Sequence, residues 1–267
     1  MLSSVKIYID QDKCIGCGRC VSECLGYNLS VQDKKAQVLS DNCLKCGHCF
    51  AVCPQNAVRM EGTGDDVLAR SEATPTLDAT SLKNHLKLRR SIRQYQQTPV
   101  EKEKLEAIIE AGRLTPTGSN SQNVRYIVVQ NGIDELEDAV IDQYKELQRQ
   151  AEASGMSGAS LGAIDISRFK LDRGFLFYNA PALILVVSEN STNACLAAMS
   201  MELMAEALGL GTLYVGLFTR PANQNPALRE SLGIAPKEDI VICLTVGYPA
   251  VQFQRSAPKL PAKVDWR

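Results

Sequence analysis

The sequence predicts a chain of two parts, a small cysteine-ligated module followed by a larger body of mixed helix and strand. Three observations carry this. Eight of the ten cysteines fall before residue 54, in two copies of one spacing. Residues 61–79, "EGTGDDVLARSEATPTLDA", are rich in Gly, Asp, Thr and Pro without sustained periodicity, and read as a linker. From residue 80 to 267 helical and strand-like patterns alternate, so the body is α/β or α+β. A length of 267 residues suits two domains, and 45% hydrophobic residues is enough for a sizeable core.

Charge and apolar runs exclude several classes. Lys and Arg number 29 against 30 Asp and Glu, a balance that points to no nucleic-acid partner. The longest apolar runs, "PALILVV" and "DIVICLTV", are too short to span a bilayer, so no membrane partner is expected. The start, "MLSSVKIYID", carries no apolar signal-peptide region, and a cytoplasmic location is expected.

The module at residues 1–60 is built on "DKCIGCGRCVSEC" and "DNCLKCGHCFAVC". Three cysteines two residues apart wrap one face of an iron–sulfur cubane. The fourth, three residues further, lies too far along to close the same cluster and ligates the other one. Cys14, Cys17, Cys20 and Cys53 are therefore expected to hold one [4Fe–4S] cluster, and Cys43, Cys46, Cys49 and Cys24 a second. Structural zinc needs only four ligands in separated pairs, and disulfides need no such regularity. Gly18 and Gly47 sit where the backbone must turn tightly. "VKIYI" and "AVRM" read as strands that pair and close the module, with "NLSV" and "AQVL" as an inner pair. So small a core leaves much of the folding energy to the clusters. The stretch from Val5 to Met60 resembles a bacterial two-cluster ferredoxin, with one departure: Pro54 follows Cys53, but Leu25 follows Cys24.

In the body, "SLKNHLKLRRSIRQY" has helical spacing and ends in a basic cluster. "TPVEKEKLEAIIEAGRL" offers Thr98 as N-cap, Pro99 at the first helical position and Glu101 to complete a capping box. "VRYIVVQ" is a strand and "IDELEDAVIDQYKELQRQAEA" a long amphipathic helix. "SGMSGASLGAIDIS" is Gly/Ser-rich and expected to be mobile. "PALILVV" and "DIVICLTVGYP" are buried strands. "NACLAAMSMELMAEALGLG" is a helix apolar on nearly all sides, so it belongs at the centre.

Three short segments have chemical character. "RRSIRQY" presents guanidinium forks and a hydroxyl suited to a phosphate or a ring carbonyl; its bland alternative is a solvated basic helix end. "TPTGSNSQN" loads a turn with amides that suit the polar edge of a heterocycle, or is an ordinary loop. "LGLGTLYVG" brings glycine backbone close to a flat ligand. It is no dinucleotide fingerprint, because Tyr214 stands where the third glycine would be and the glycines follow a helix.

In this order and spacing, "RRSIRQY", "PTGSNSQ", "APALILVV", "LGLGTLYVG" and "VGYP" resemble the FMN-dependent nitroreductase family over residues 80–267, and the whole chain resembles a ferredoxin–nitroreductase fusion. The resemblance implies an α+β body and an FMN-dependent oxidoreductase. It places Arg89, Arg90 and Ser91 near the FMN phosphate and ribityl chain, and Arg93 near the pyrimidine edge. It sets Asn120 and Gln122 at the ring's polar atoms, Gly216 and Leu217 with backbone close to N5, and Arg255 and Lys259 back at the phosphate. It implies a homodimer with FMN at the interface. Val124 stands where that family frequently has Trp.

His48, His85, Cys195 and Cys243 are assigned no chemistry; both cysteines lie in apolar sequence and are expected in the core. Two histidines leave no acid–base pair, which suits a reaction carried by a flavin. The expected activity is electron entry at the clusters, collection on FMN and delivery to a small electrophilic acceptor such as a nitroaromatic, quinone or activated alkene. The donor is external ferredoxin or NAD(P)H. The alternatives are an NAD(P)H-driven reductase with accessory clusters, and an electron-transfer or redox-sensing protein without a small substrate. Acceptor specificity is expected in residues 145–180.

Overall fold

The computed structural model describes residues 5–40, 43–63, 67–73, 77–153, 160–161, 164–165 and 170–267, and the backbone groups into two units. The first comprises Met1–Thr76 together with Thr117–Ser121; the second comprises Leu77–Pro116 and Gln122–Arg267. The expected linker thus largely clusters with the cysteine module, and Thr117–Ser121 joins it from the body.

In the first unit the elements are β1 (Lys6–Ile9), α1 (Arg19–Ser22), β2 (Leu29–Gln32), β3 (Lys35–Val38), α2 (His48–Val52) and β4 (Val58–Glu61). Both expected strand pairs form. β1 and β4 run antiparallel from Lys6↔Glu61 to Ile9↔Val58, and β2 and β3 from Leu29↔Val38 to Gln32↔Lys35. Each short helix starts at a left-handed glycine, Gly18 at φ 75° and Gly47 at φ 76°. The buried hydrophobic cluster of this unit, among the described residues, is Cys14, Cys20, Leu29, Ala36, Ala57 and Val58. Two of those six are thiols, so the module's interior is built partly of its own candidate ligands.

The second unit contains α3 (Ala79–Leu88), α4 (Lys102–Arg113), β5 (Arg125–Val129), α5 (Ile133–Ala153), β6 (Ser160–Leu161), β7 (Ile164–Asp165), β8 (Ala182–Ser188), α6 (Ser191–Ala207), β9 (Gly211–Tyr214), α7 (Gly216–Gln224), α8 (Pro226–Ser231) and β10 (Asp239–Gly247). Its main sheet has the order β5-β8-β10-β9 with every pairing antiparallel. All of β8 is buried. Alternation along a strand sends successive side chains to opposite faces. Leu183, Leu185 and Val187 pack with Val140, Tyr144 and Phe218 of α5 and α7. Ala182, Ile184 and Val186 pack with Ile108 of α4 and Met201 of α6. Helices on both faces of an antiparallel sheet make this unit α+β. Most of the Gly/Ser-rich stretch 154–167, and so its expected mobility, lies outside the described residues.

Three expectations are corrected. Helix α4 starts at Lys102 with Glu101 as the extended residue before it, not at Pro99 behind a Thr98 cap. Cys195 is exposed rather than in the core, because α6 turns Ala194, Ala197, Ala198 and Met201 inward and leaves one side uncovered. On that helix Leu196 is 48% exposed and Met199 37%, so it is less central than its apolar sequence implies. Cys243, by contrast, is buried on β10.

Candidate functional site

In the first unit two small cavities each collect four cysteines. One is lined by Cys14, Cys17 and Cys20 with Cys53, the other by Cys43, Cys46 and Cys49 with Cys24. The pairing is crossed, because each box sends its fourth cysteine to the other cavity. Backbone amides converge on the sulfurs. Ala36 N donates to Cys14 Sγ at 3.3 Å, Asn28 N to Cys24 Sγ at 3.3 Å, Lys45 N to Cys43 Sγ at 3.3 Å and Ala57 N to Cys53 Sγ at 3.2 Å. Burial pushes the Cys49 thiol up to about 11 and raises Cys20. At Cys53 burial also acts upward, but the amides of Ala57, Gln55, Val58 and Asn56 outweigh it and the thiol is lowered. Four soft sulfur donors around each cavity, three of them two residues apart and the fourth from the other box, fit an iron–sulfur cubane better than zinc. Gly16 is required locally: at φ +68° a Cβ there would lie 2.1 Å from the Lys34 carbonyl oxygen.

In the second unit the expected phosphate residues partly converge. Helix α3, capped by the Asp78 carboxylate accepting from Ser81 N at 2.7 Å, ends at Arg89. A cavity of about 620 Å³ is lined by Arg89, Arg90 and Lys259, with Lys83, Lys87 and Ser256. Its cationic lining fits a phosphate. Ser91, Arg93 and Arg255 do not line it. Arg93 instead stands over the Tyr178 ring, 5.9 Å from the centroid. Arg89 Nη1 donates to Glu202 Oε1 at 2.6 Å, so a buried carboxylate holds this guanidinium. One turn back, His85 Nε2 lies 2.9 Å from Glu206 Oε2. Burial raises the Glu206 carboxyl against the pull of His85.

The run after Arg90 is stitched to the sheet. Ile92 N donates to Thr212 O at 2.9 Å and Ala250 N to Gln94 O at 2.9 Å. Tyr95 Oη donates to Ile92 O at 2.9 Å and shares a 2.6 Å hydrogen bond with Thr245 Oγ1. Two glycines of "LGLGTLYVG" serve this packing rather than a ligand. Gly209 at φ +75° ends α6, with Leu210 N donating to Ala205 O at 2.8 Å. A Cβ on Gly211 would meet Ile92 Cγ1 at 2.3 Å. Gly216 opens onto space, with nothing within 4 Å of an added Cβ, and it begins α7 with Leu217 next.

Asn120 groups with the first unit, where its Nδ2 donates to the carbonyl oxygens of Leu44 and Lys45 at 3.1 Å each. That amide nitrogen is engaged on the cysteine-loop backbone. Gln122 resumes the second unit at φ 46°. Val124 packs partly buried against the α4–α6 core. Sequence reasoning missed Glu202, Lys83, Lys87 and Ser256. The spacing of Lys83 and Lys87 was a usable signal, since residues four apart share a helix face.

Residues 86–248 match the Nitroreductase family and residues 6–54 match a 4Fe-4S dicluster domain. The chain belongs to the nitroreductase family and is an FMN-dependent oxidoreductase with a 4Fe-4S ferredoxin domain ahead of the flavin body. It is 27% identical over 171 residues to an Archaeoglobus fulgidus protein named for NADH dehydrogenase and NAD(P)H nitroreductase, covering 60% of this chain and 81% of that one. It is 31% identical over 180 residues to the FMN reductase [NAD(P)H] of Bacillus subtilis, covering 64% and 67%. A nitroreductase with bound FMN from Desulfitobacterium hafniense shares the fold, with TM-score 0.55 and 22% identity over 71% of this chain and 100% of that one. No helix among the described residues is long and apolar enough to cross a membrane.

Proposed function

We propose that the chain passes electrons from two [4Fe–4S] clusters to FMN and on to a small electrophilic acceptor, a nitroaromatic, quinone or activated alkene. The observation that carries this reading is the crossed sorting of eight cysteines into two cavities of equal size. Cys14, Cys17, Cys20 and Cys53 would ligate one cluster, and Cys43, Cys46, Cys49 and Cys24 the other. Bound FMN supplies the step from single electrons to electron pairs. Arg90 and Lys259 would neutralise its phosphate, with Arg89 held beside them by Glu202. Ser91 would serve the ribityl chain, Arg93 and Gln122 the polar ring edge, and Gly216 and Leu217 would offer backbone N–H groups to the ring. Arg255 lies one residue from the cavity-lining Ser256. Exposed Leu196 and Met199 on α6 support a second copy of the chain as partner, and thiolate clusters favour a reducing compartment such as the cytoplasm.

The test compares the full chain with one starting at Leu77, where the second unit begins. Both are loaded with FMN to matched content, and the full chain also with iron and sulfide, under anaerobic conditions. The full chain is expected to show fast flavin reduction by reduced ferredoxin, and the shortened chain to lose it. Equal rates would remove the cysteine module from the electron path. A second reading, NAD(P)H as direct donor, is favoured by the name of the Bacillus subtilis relative. Fast flavin reduction by NADPH in both chains would select it.

A further inference from the structure

Pro221 lies inside α7 and is buried there. It has no N–H, so the carbonyl one turn earlier, on Leu217, loses its helical donor. The proline ring also crowds that carbonyl and tilts it off the helix axis. The carbonyl is nevertheless satisfied. Tyr144, from the middle of α5 and 73 residues earlier, donates its hydroxyl to Leu217 O at 2.5 Å. Tyr144 is 1% exposed, so water has little access to its hydroxyl.

The rest of the turn is fixed as well. Val215 N donates to Cys243 O of β10 at 2.8 Å. Thr219 Oγ1 donates to Gly216 O at 3.4 Å. Phe218 N donates to Val215 O at 3.2 Å, and what the first turn leaves without a helical partner is the N–H groups of Gly216 and Leu217. Gly216 adds no side chain in front of them, and the space beyond its Cα is open.

We propose that Tyr144 is a positioning residue for the flavin: its hydroxyl replaces the amide that Pro221 lacks and so fixes the first turn of α7. The inference rests on the reading above for the identity of the ligand at Gly216 and Leu217. The device itself, a hydroxyl and a proline that together set the direction of one carbonyl, does not depend on it. Helix α7 would thereby hold its terminal amides at one angle whether or not a ligand is present.

The test uses the full chain with and without FMN. Tyr144→Phe removes only the hydroxyl. In the FMN-free protein, amide exchange at Phe218, whose N–H donates to Val215 O, is expected to quicken about tenfold, while exchange in β8 stays unchanged as a control for global stability. FMN binding is expected to weaken about tenfold, and the midpoint potential of the bound flavin to shift. Pro221→Ala restores an N–H facing Leu217 O. Tyr144→Phe combined with Pro221→Ala is therefore expected to recover exchange and affinity close to the unsubstituted chain. The proposal is overturned if Tyr144→Phe leaves local exchange and FMN affinity alone, or if the double variant is no better than Tyr144→Phe. A chain that binds no FMN at all would sink the flavin reading, and the exchange comparison would still decide whether Tyr144 holds the turn.

Discussion

Arg89 and Glu202 meet at 2.6 Å with unequal burial, the guanidinium side chain 26% exposed and the carboxylate 3%. Glu202 is the group that depends on the pair, since a carboxylate that deep has little water to fall back on. Glu202 also contributes to keeping the Tyr214 phenol neutral, after the larger effect of burial. Replacing the carboxylate leaves a partly exposed cation without its partner. Glu202→Ala is expected to lower stability by about 2 kcal/mol, below the range for fully buried pairs because Arg89 reaches solvent. Urea unfolding of the two proteins measures this directly. An unchanged midpoint would mean that the pair contributes nothing net.

The crossed cavities make a paired prediction. Cys53→Ser is expected to alter the cluster signal that Cys14→Ser alters, and Cys24→Ser the one that Cys43→Ser alters. Anaerobic electron paramagnetic resonance of the four variants decides it. If Cys53→Ser resembles Cys43→Ser instead, each box closes on itself and the crossing is wrong.

Tyr144 gives a pH dependence with a defined sign. Burial pushes its phenol up to about 12 from an ordinary 10. The folded state therefore keeps the proton when the unfolded chain has lost it. The stability it contributes is fully present below pH 10 and is lost as the pH rises towards 12. The stability gap between the unsubstituted chain and Tyr144→Phe is expected to be flat from pH 7 to about 9.5. Above pH 10 the unsubstituted chain should lose ground to the variant. Denaturant unfolding at stepped alkaline pH follows the gap, and a gap that stays constant to pH 11.5 contradicts a buried, neutral Tyr144.

Much of the fold was legible because its signals are local. Alternation marked β1 with β4 and β2 with β3, and the full apolar run of β8 announced a strand buried on both faces. Cysteine spacing carried even the crossed grouping, because three residues cannot bring Cys24 back to its own box. What stayed hidden depends on partners distant in sequence. Glu202 sits in an apolar helix 113 residues from Arg89, and no window contains both. The start of α4 was missed because a fixed proline φ suits an extended residue as well as a helical one. Asn120 reads as a loop amide of the body, and only the folded chain shows it engaged on Leu44 and Lys45. Two glycines near β9 looked ligand-facing in a one-dimensional reading, while Gly211 is needed by Ile92.

The sharing of Cys53 with the first box has a consequence for how the chain is made. A growing polypeptide exposes Cys14, Cys17 and Cys20 first, with three sulfurs around a space that takes four. The missing ligand emerges last of the eight, immediately before Pro54. The strand that closes on β1 arrives later still, since β4 begins at Val58. The second cavity has all four of its cysteines once Cys49 has emerged, whereas the first, begun earliest, waits for Cys53, so the order in which the two cavities become complete is the reverse of the order in which the chain begins them.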